Sequence, residues 1–306
     1  MPASPALPSD RPLRRHGVLA AGPGFPDALP ATFLRTVARL GPAFPLEALG
    51  WIGDDDAGQA LADELCRYKI DTIQLRPAPA GETAARLGPA DFDLSASNAK
   101  ILHLGRPLQL AGLDAPARTG GTGWSALGLQ ARAAGIRVSL AVADGPPAAL
   151  RAIVTPLLPL LTYLVLDAGA AATLTGETLR SAPGLSVAGV EKAAGRLIAA
   201  GVSRWVIIHA PRAVFALNPS GFAVWQPTVE LPARQAETPA FADAFAAGIF
   251  FAVHDHWPMD EALKIGVAAA AAHVLNDGRV PPLKETVALA QQTGFHPAIT
   301  RGQGFI

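Results

Sequence analysis

Short apolar runs alternate with Ala-, Leu- and Arg-rich stretches of helical spacing from residue 16 almost to the end of the 306-residue chain. Such alternation predicts an α/β fold with a mainly parallel sheet, because every parallel crossover needs a helix to return the chain and cover the sheet. Strands are expected at 16–21, 48–52, 101–104, 138–142, 163–166 and 205–209, with a hairpin of 214–217 and 222–225 around Pro219-Ser220-Gly221. Helices are expected at 31–40, 57–68, 124–134, 148–160, 190–200, 242–254 and 259–275. In the first of these, Phe33, Leu34, Val37 and Leu40 fall on one face, and Gly41-Pro42 ends it. Asp54-Asp55-Asp56 opens the second, where a carboxylate can cap the helix and favours its dipole. Residues 1–15, rich in Pro, Ala and Ser, read as a frayed tail, which leaves 16–300 as one α/β domain.

Composition narrows the class. Half of the residues are hydrophobic and 16% are charged, as in a compact protein rather than a disordered one. The 25 basic and 25 acidic residues cancel, so the positive footprint of a nucleic-acid binder is missing. A single cysteine, Cys66, rules out an intrachain disulfide and fits a reducing compartment; its helical setting predicts a buried structural thiol. No apolar run reaches the length of a membrane span, and no apolar signal core follows the tail, so a cytoplasmic location is expected.

The richest chemistry lies at 237–248, Glu-Thr-Pro-Ala-Phe-Ala-Asp-Ala-Phe-Ala-Ala-Gly, between a β-like segment and an Ala-rich helix. Small residues at a helix start present free N–H groups and the positive end of the dipole, which suits an anion. Asp243, just inside that helix, would stand beside it. The stretch resembles the signature of the PfkB/ribokinase family of carbohydrate kinases, Asp-Thr-Thr/Asn-Gly-Ala-Gly-Asp-Ala-Phe. Further stretches resemble the same family in the same order: Gly53-Asp54-Asp55-Asp56-Ala57-Gly58 after a strand, Tyr68-Lys69-Ile70-Asp71-Thr72, Leu174-Thr175-Gly176, and the Ala-rich helix after the signature. The resemblance spans most of the chain. It implies a ribokinase-like three-layer α/β/α fold, ATP and Mg²⁺ as cofactors, and a small sugar or nucleoside as acceptor, with no nucleic-acid or membrane partner, in a monomer or homodimer.

The same resemblance implies roles for single residues. Asp243 matches the catalytic base, or as a plain helix residue stabilises the dipole. Ala240, Phe241 and Ala242 replace the Gly-Ala-Gly of the backbone anion hole, and Pro239 removes one N–H donor. Phe241 either fills the phosphate space or turns into the core. On the nucleotide side, Asp167 stands where the family's Asn-x-x-Glu begins and Ala170 where its Mg²⁺-organising Glu stands. His209 and Ala210 replace the start of a Gly-x-x-Gly turn, and Ala141-Val142-Ala143 replaces an Asp-Pro-Asn-like strand end. No residue is assigned as a direct metal ligand.

On the acceptor side, Asp27 and Thr32 are the substrate-binding candidates; Asp27 also reads as a turn or cap before Ala28. The stretches 22–31 and 80–98 are too short for the family's lid, which is therefore expected to be truncated or absent. His254-Asp255-His256 reads as an interhelical loop rather than a metal site, because His at i and i+2 do not share a helix face. Thr119-Gly120-Gly121-Thr122-Gly123 lacks a P-loop's lysine and reads as a helix lead-in. His103 reads as a satisfied strand histidine. Two functions follow: a PfkB-like kinase of weak or lost turnover, and a non-catalytic relative that binds a small ligand or a protein partner on the same scaffold.

Overall fold

The structure is a computed structural model, and it describes residues 16–21, 31–117, 120–181, 184–210, 212–229, 238–292 and 294–301. Its strands are β1 (His16–Ala21), β2 (Leu46–Ile52), β3 (Ile70–Pro77), β4 (Ala99–Gly105), β5 (Arg137–Val142) and β6 (Tyr163–Asp167). They continue as β7 (Arg180–Ser181), β8 (Gly184–Leu185), β9 (Trp205–Ala210), β10 (Ala213–Leu217), β11 (Ala223–Pro227) and β12 (Ile299–Arg301). The helices are α1 (Ala31–Leu40), α2 (Asp56–Arg67), α3 (Ala111–Asp114), α4 (Gly123–Ala133) and α5 (Pro147–Val154). After them come α6 (Ala168–Thr175), α7 (Val187–Ala199), α8 (Pro239–His254), α9 (Met259–Leu275) and α10 (Leu283–Gln292).

Ten strands form one sheet in the order β12-β11-β10-β9-β6-β5-β4-β1-β2-β3, while β7 and β8 pair apart. From β9 to β3 every pairing is parallel; β10, β11 and β12 add on antiparallel. Period-two alternation sends successive strand residues to opposite faces. Tyr163, Val165 and Ile207 pack into a core with α1, α2, α8 and α9, whereas Leu164, Leu166, Val206 and Ile208 pack with α4 to α7. The result is a sheet between two helical layers.

On the first face, α8 and α9 run against each other through glycine. A Cβ on Gly248 would stand 2.6 Å from the Ile265 carbonyl oxygen, and one on Gly266 would stand 2.8 Å from Ile249 Cγ1. Two backbones can approach this closely only where both lack a side chain.

The expected strands and helices recur with small shifts, and three departures have physical causes. The helix expected over 148–160 is α-helical only to Val154 and then tightens to a 3-10 turn over Thr155–Leu160, since Pro156 and Pro159 supply no N–H. The helix expected from 242 begins at Pro239, because the Thr238 hydroxyl caps it and proline suits the first helical position. Cys66 is exposed rather than buried: α2 turns Gly58, Leu61 and Leu65 inward and Cys66 lies one step off that stripe, its Sγ 3.2 Å from Thr72 Oγ1. The acidic run resolves as expected in one respect, with Asp55 Oδ1 accepting from Gly58 N at 2.8 Å.

Between β3 and β4 the chain forms two short 3-10 turns and no strand. The other half of the lid expectation, residues 22–30, and the tail 1–15 lie outside the described residues. Among the described residues no helix is long and apolar enough to cross a membrane.

Candidate active site

In a parallel sheet the strands' C-terminal ends point to one edge, and ligands bind in the crevice beyond it. Here the ends of β4, β5, β6 and β9 surround a cavity of about 570 Å³, which the first turn of α8 closes on one side. Asp243, Phe241, Ala242, Asp167, His209 and Ala210 all line it, brought together from three separate parts of the chain.

The start of α8 differs from the expected open loop. Phe241 N donates to the Thr238 hydroxyl at 3.2 Å, and Ala242 N to the Thr238 carbonyl at 3.2 Å. Pro239 has no N–H, and half-buried Ala240 does not line the cavity. Most of the backbone donors assigned to an anion hole are thus spent inside the helix. Phe241 packs against the hydrophobic core and also faces a smaller space walled by Val214, Val229, Phe245 and Val267, so its ring stands at the boundary of core and cavity.

Asp243 lies one turn into α8 with only 3% of its side chain exposed, and Oδ2 accepts from Arg106 Nη2 at 2.9 Å. Burial pushes its carboxyl up to about 7, against the pull of the Arg106 charge and hydrogen bond. Arg106 follows β4 directly and adopts a left-handed backbone (φ 61°), as does Leu108 (φ 77°). Such conformations cost free energy in non-glycine residues and need a supporting frame. Asp114 supplies it: Oδ1 accepts from Leu108 N at 3.0 Å and Trp124 Nε1 at 2.8 Å, while Oδ2 accepts from Leu110 N at 3.2 Å.

Across the cavity, Asp167 is the N-cap of α6. Its Oδ1 accepts from Ala170 N at 2.7 Å and its Oδ2 from Asp144 N at 2.9 Å. Asp144 is exposed, with Oδ1 held by Gly145 N and Thr173 Oγ1. Gly169 lets it lie close, since a Cβ there would come 2.7 Å from Asp144 Oδ2. His209, opposite Asp167 in the β6–β9 register, has its pKa lowered by burial despite the neighbouring carboxylate and is therefore neutral.

Other sequence candidates fall elsewhere. Thr32 is buried in the first turn of α1 and does not line the cavity; Asp27 lies outside the described residues. His103 is half satisfied: Nδ1 lies 2.9 Å from Ser139 Oγ and the ring stacks on Phe33, but buried Nε2 has no hydrogen-bond partner among the described residues. His254 ends α8 and Asp255 caps it, as an interhelical loop requires. Gly123 opens α4 behind Thr122, in keeping with a helix lead-in, while Thr119 lies outside the described residues.

Sequence reasoning missed Arg106 and Asp144. Each directly follows or nearly follows a parallel strand at its C-terminal end, and each precedes proline or glycine; that position is the signal that could have marked them.

Neither a protein-family model nor a curated protein sequence matches the chain. Solved structures do match. A PfkB protein from Polaromonas sp. JS666 is 19% identical with a TM-score of 0.65, over 89% of this chain and 99% of that one. A putative ribokinase II from E. coli in complex with ATP and Mg²⁺ is 14% identical with a TM-score of 0.69, over 90% and 99%. Aminoimidazole riboside kinase from Salmonella enterica, complexed with aminoimidazole riboside and an ATP analogue, is 17% identical with a TM-score of 0.61, over 89% and 99%. At these identities the likeness carries the fold, and the chain has a PfkB/ribokinase-like α/β fold.

Proposed function

We propose that this chain transfers the γ-phosphoryl group of ATP to a hydroxyl of a small sugar or nucleoside, with Asp243 as general base. The observation that carries the proposal is a buried carboxylate one turn into a helix, facing a cavity at the C-terminal ends of the parallel strands. Structural neighbours named as carbohydrate and nucleoside kinases, one holding ATP and Mg²⁺ and another a riboside with an ATP analogue, support the same choice. We further propose that the protein works in the cytoplasm as a monomer or homodimer.

The chemistry asks little of the protein beyond position and charge. The acceptor hydroxyl gives its proton to Asp243 as its oxygen bonds to phosphorus, and the bond from phosphorus to the β,γ-bridging oxygen breaks, its electron pair leaving on ADP. In the absence of phosphate Arg106 occupies Oδ2, and Oδ1 has no described partner. A carboxyl held near 7 is a stronger base than an ordinary aspartate while remaining half ionised at neutral pH, the compromise a general base needs.

A hydrated Mg²⁺ takes hard oxygen donors, usually one or two carboxylates plus phosphate oxygens. Ala170 offers none, but Asp144 is exposed on the cavity wall and its Oδ2 takes part in no described hydrogen bond. Asp144, with Asp167 beside it, would hold the ion there. When bound, Mg²⁺ neutralises charge on the nucleotide's phosphates.

Titration with a non-hydrolysable ATP analogue and Mg²⁺, followed by calorimetry and thermal shift, tests the proposal before any acceptor is known. Saturable binding with stabilisation is expected. No binding at millimolar nucleotide would overturn it.

A further inference from the structure

The anion-binding parts of the site are unevenly supplied. Of the backbone N–H groups at the start of α8, those of Phe241 and Ala242 are bonded to Thr238, and Pro239 has none. A phosphoryl group in flight carries its charge on three oxygens and needs donors aimed at them. Those donors have to come from elsewhere in the cavity.

Among the described residues that line it, Arg106 is the only lysine or arginine. A guanidinium has five N–H donors in a planar fork suited to phosphate oxygens. In Arg106 one of them meets Asp243, and no other partner of the side chain is described. Only 15% of the side chain is exposed, and Arg106 lines the cavity. The left-handed backbone at Arg106 and Leu108, braced by Asp114, is the strain that keeps this side chain over the cavity. Its distance from the base is also informative. In the proposed reaction the attacking hydroxyl would sit on Asp243 with the phosphorus one bond further, and Arg106 Nη2 lies 2.9 Å from the same carboxylate.

We propose that Arg106, rather than the start of α8, holds the oxyanions of the transferred phosphoryl group. The assignment rests on the kinase function proposed above and names a second catalytic residue for it. In the absence of a phosphate, Arg106 pairs with Asp243. With phosphate present, the fork bonds the phosphoryl oxygens while Asp243 takes the hydroxyl's proton, so base and charge clamp act on opposite sides of the bond being made.

Inorganic phosphate, titrated by calorimetry, probes the clamp without nucleotide or acceptor. Arg106→Gln should weaken phosphate binding at least tenfold, and Arg106→Lys, which keeps the charge but not the fork, should fall between. Asp243→Asn should bind phosphate several-fold more tightly than wild type, because the competing carboxylate charge is gone; a merely structural ion pair would not give that gain. With turnover measurable, Arg106→Gln should lower kcat about 10²–10³-fold and leave the acceptor's KM within threefold.

Wild-type phosphate affinity in Arg106→Gln overturns the assignment, as does a loss confined to the acceptor's KM, which would make Arg106 an acceptor contact. Loss of phosphate binding in Arg106→Gln by a wild type that binds no nucleotide keeps the clamp and removes the kinase function. If Arg106→Gln alone fails to fold, the Arg106→Gln/Asp243→Asn double variant leaves no unpaired buried charge and is compared with Asp243→Asn in the same titration.

Discussion

Helices α6 and α8 open their N-termini onto one cavity with opposite caps. At α6 the cap is the Asp167 carboxylate, which accepts from Ala170 N and Asp144 N and has the Asp144 side chain beside it. At α8 the cap is the neutral Thr238 hydroxyl, and the charge alongside is the Arg106 guanidinium. Both ends carry the same positive dipole. The α6 end is dressed in negative charge that repels phosphate and attracts a cation, while the α8 end keeps a cation beside a buried carboxylate. Similar N-cap backbone geometry has been given two electrostatic characters by four side chains. A helix start at the edge of a parallel sheet is therefore not in itself an anion site; its cap decides.

The largest effect is expected from Asp243→Asn, which keeps the shape of α8 and removes the proton acceptor: phosphoryl transfer should fall about 10²–10⁴-fold with nucleotide binding retained. Activity that survives this change would move the base elsewhere. Next comes Asp167→Ala, which strands two backbone N–H groups and should cost about 2 kcal/mol in urea unfolding. Thr238→Ala removes a single neutral cap and should cost about 1 kcal/mol in the same assay. Equal costs would mean that the two caps differ less than their charges suggest.

The smallest expected effect in the wild type is the acid dependence of stability, because two contributions oppose each other. His103 is held at about 3 and His254 at about 4 by burial, against a usual 6.5. The unfolded chain therefore binds more protons between those values, and the stability these residues give is lost as pH falls below 6.5. Asp243 is held at about 7 against a usual 3.8, so the folded chain binds the extra proton and its contribution is lost as pH rises through 7. Asp243→Asn removes only the second contribution. The variant should lose more stability than wild type between pH 6.5 and 4, measured as the shift in melting temperature, and parallel profiles would contradict the burial of Asp243.

Much of the frame could be read from the sequence because fully buried parallel strands leave continuous runs of Val, Ile and Leu. Strand β6 is one, with Tyr163 to Leu166 all buried. Strand β3 escaped notice because it lies at the sheet edge, where Asp71, Ile73 and Arg76 face solvent and the apolar run breaks up. Helix α6 escaped for another reason: Ala168–Thr175 contains almost nothing but small residues and has no polar face to set a period. In the site, Asp243 was legible through its setting in 237–248. The Arg106–Asp243 pair was not, since it joins residues 137 positions apart and leaves no trace in local spacing. The spent N–H groups of α8 were hidden as well, because they depend on where the helix begins, a matter of one threonine and one proline.

The glycine contact between α8 and α9 bears on how the site can work in time. Gly248, five residues beyond Asp243, brings the α8 backbone against α9, where an added Cβ would meet the Ile265 carbonyl oxygen at 2.6 Å. On the opposite side, Asp114 pins the backbone at Leu108 and Leu110. With both backbones held in this way, any parting of Arg106 from Asp243, now 2.9 Å apart, would fall to rotation about the arginine's own side-chain bonds. Side-chain rotations belong to the nanosecond range where lid closures take microseconds to milliseconds. If Arg106 holds phosphate as proposed, admission of phosphate between the two side chains would be a rotamer step.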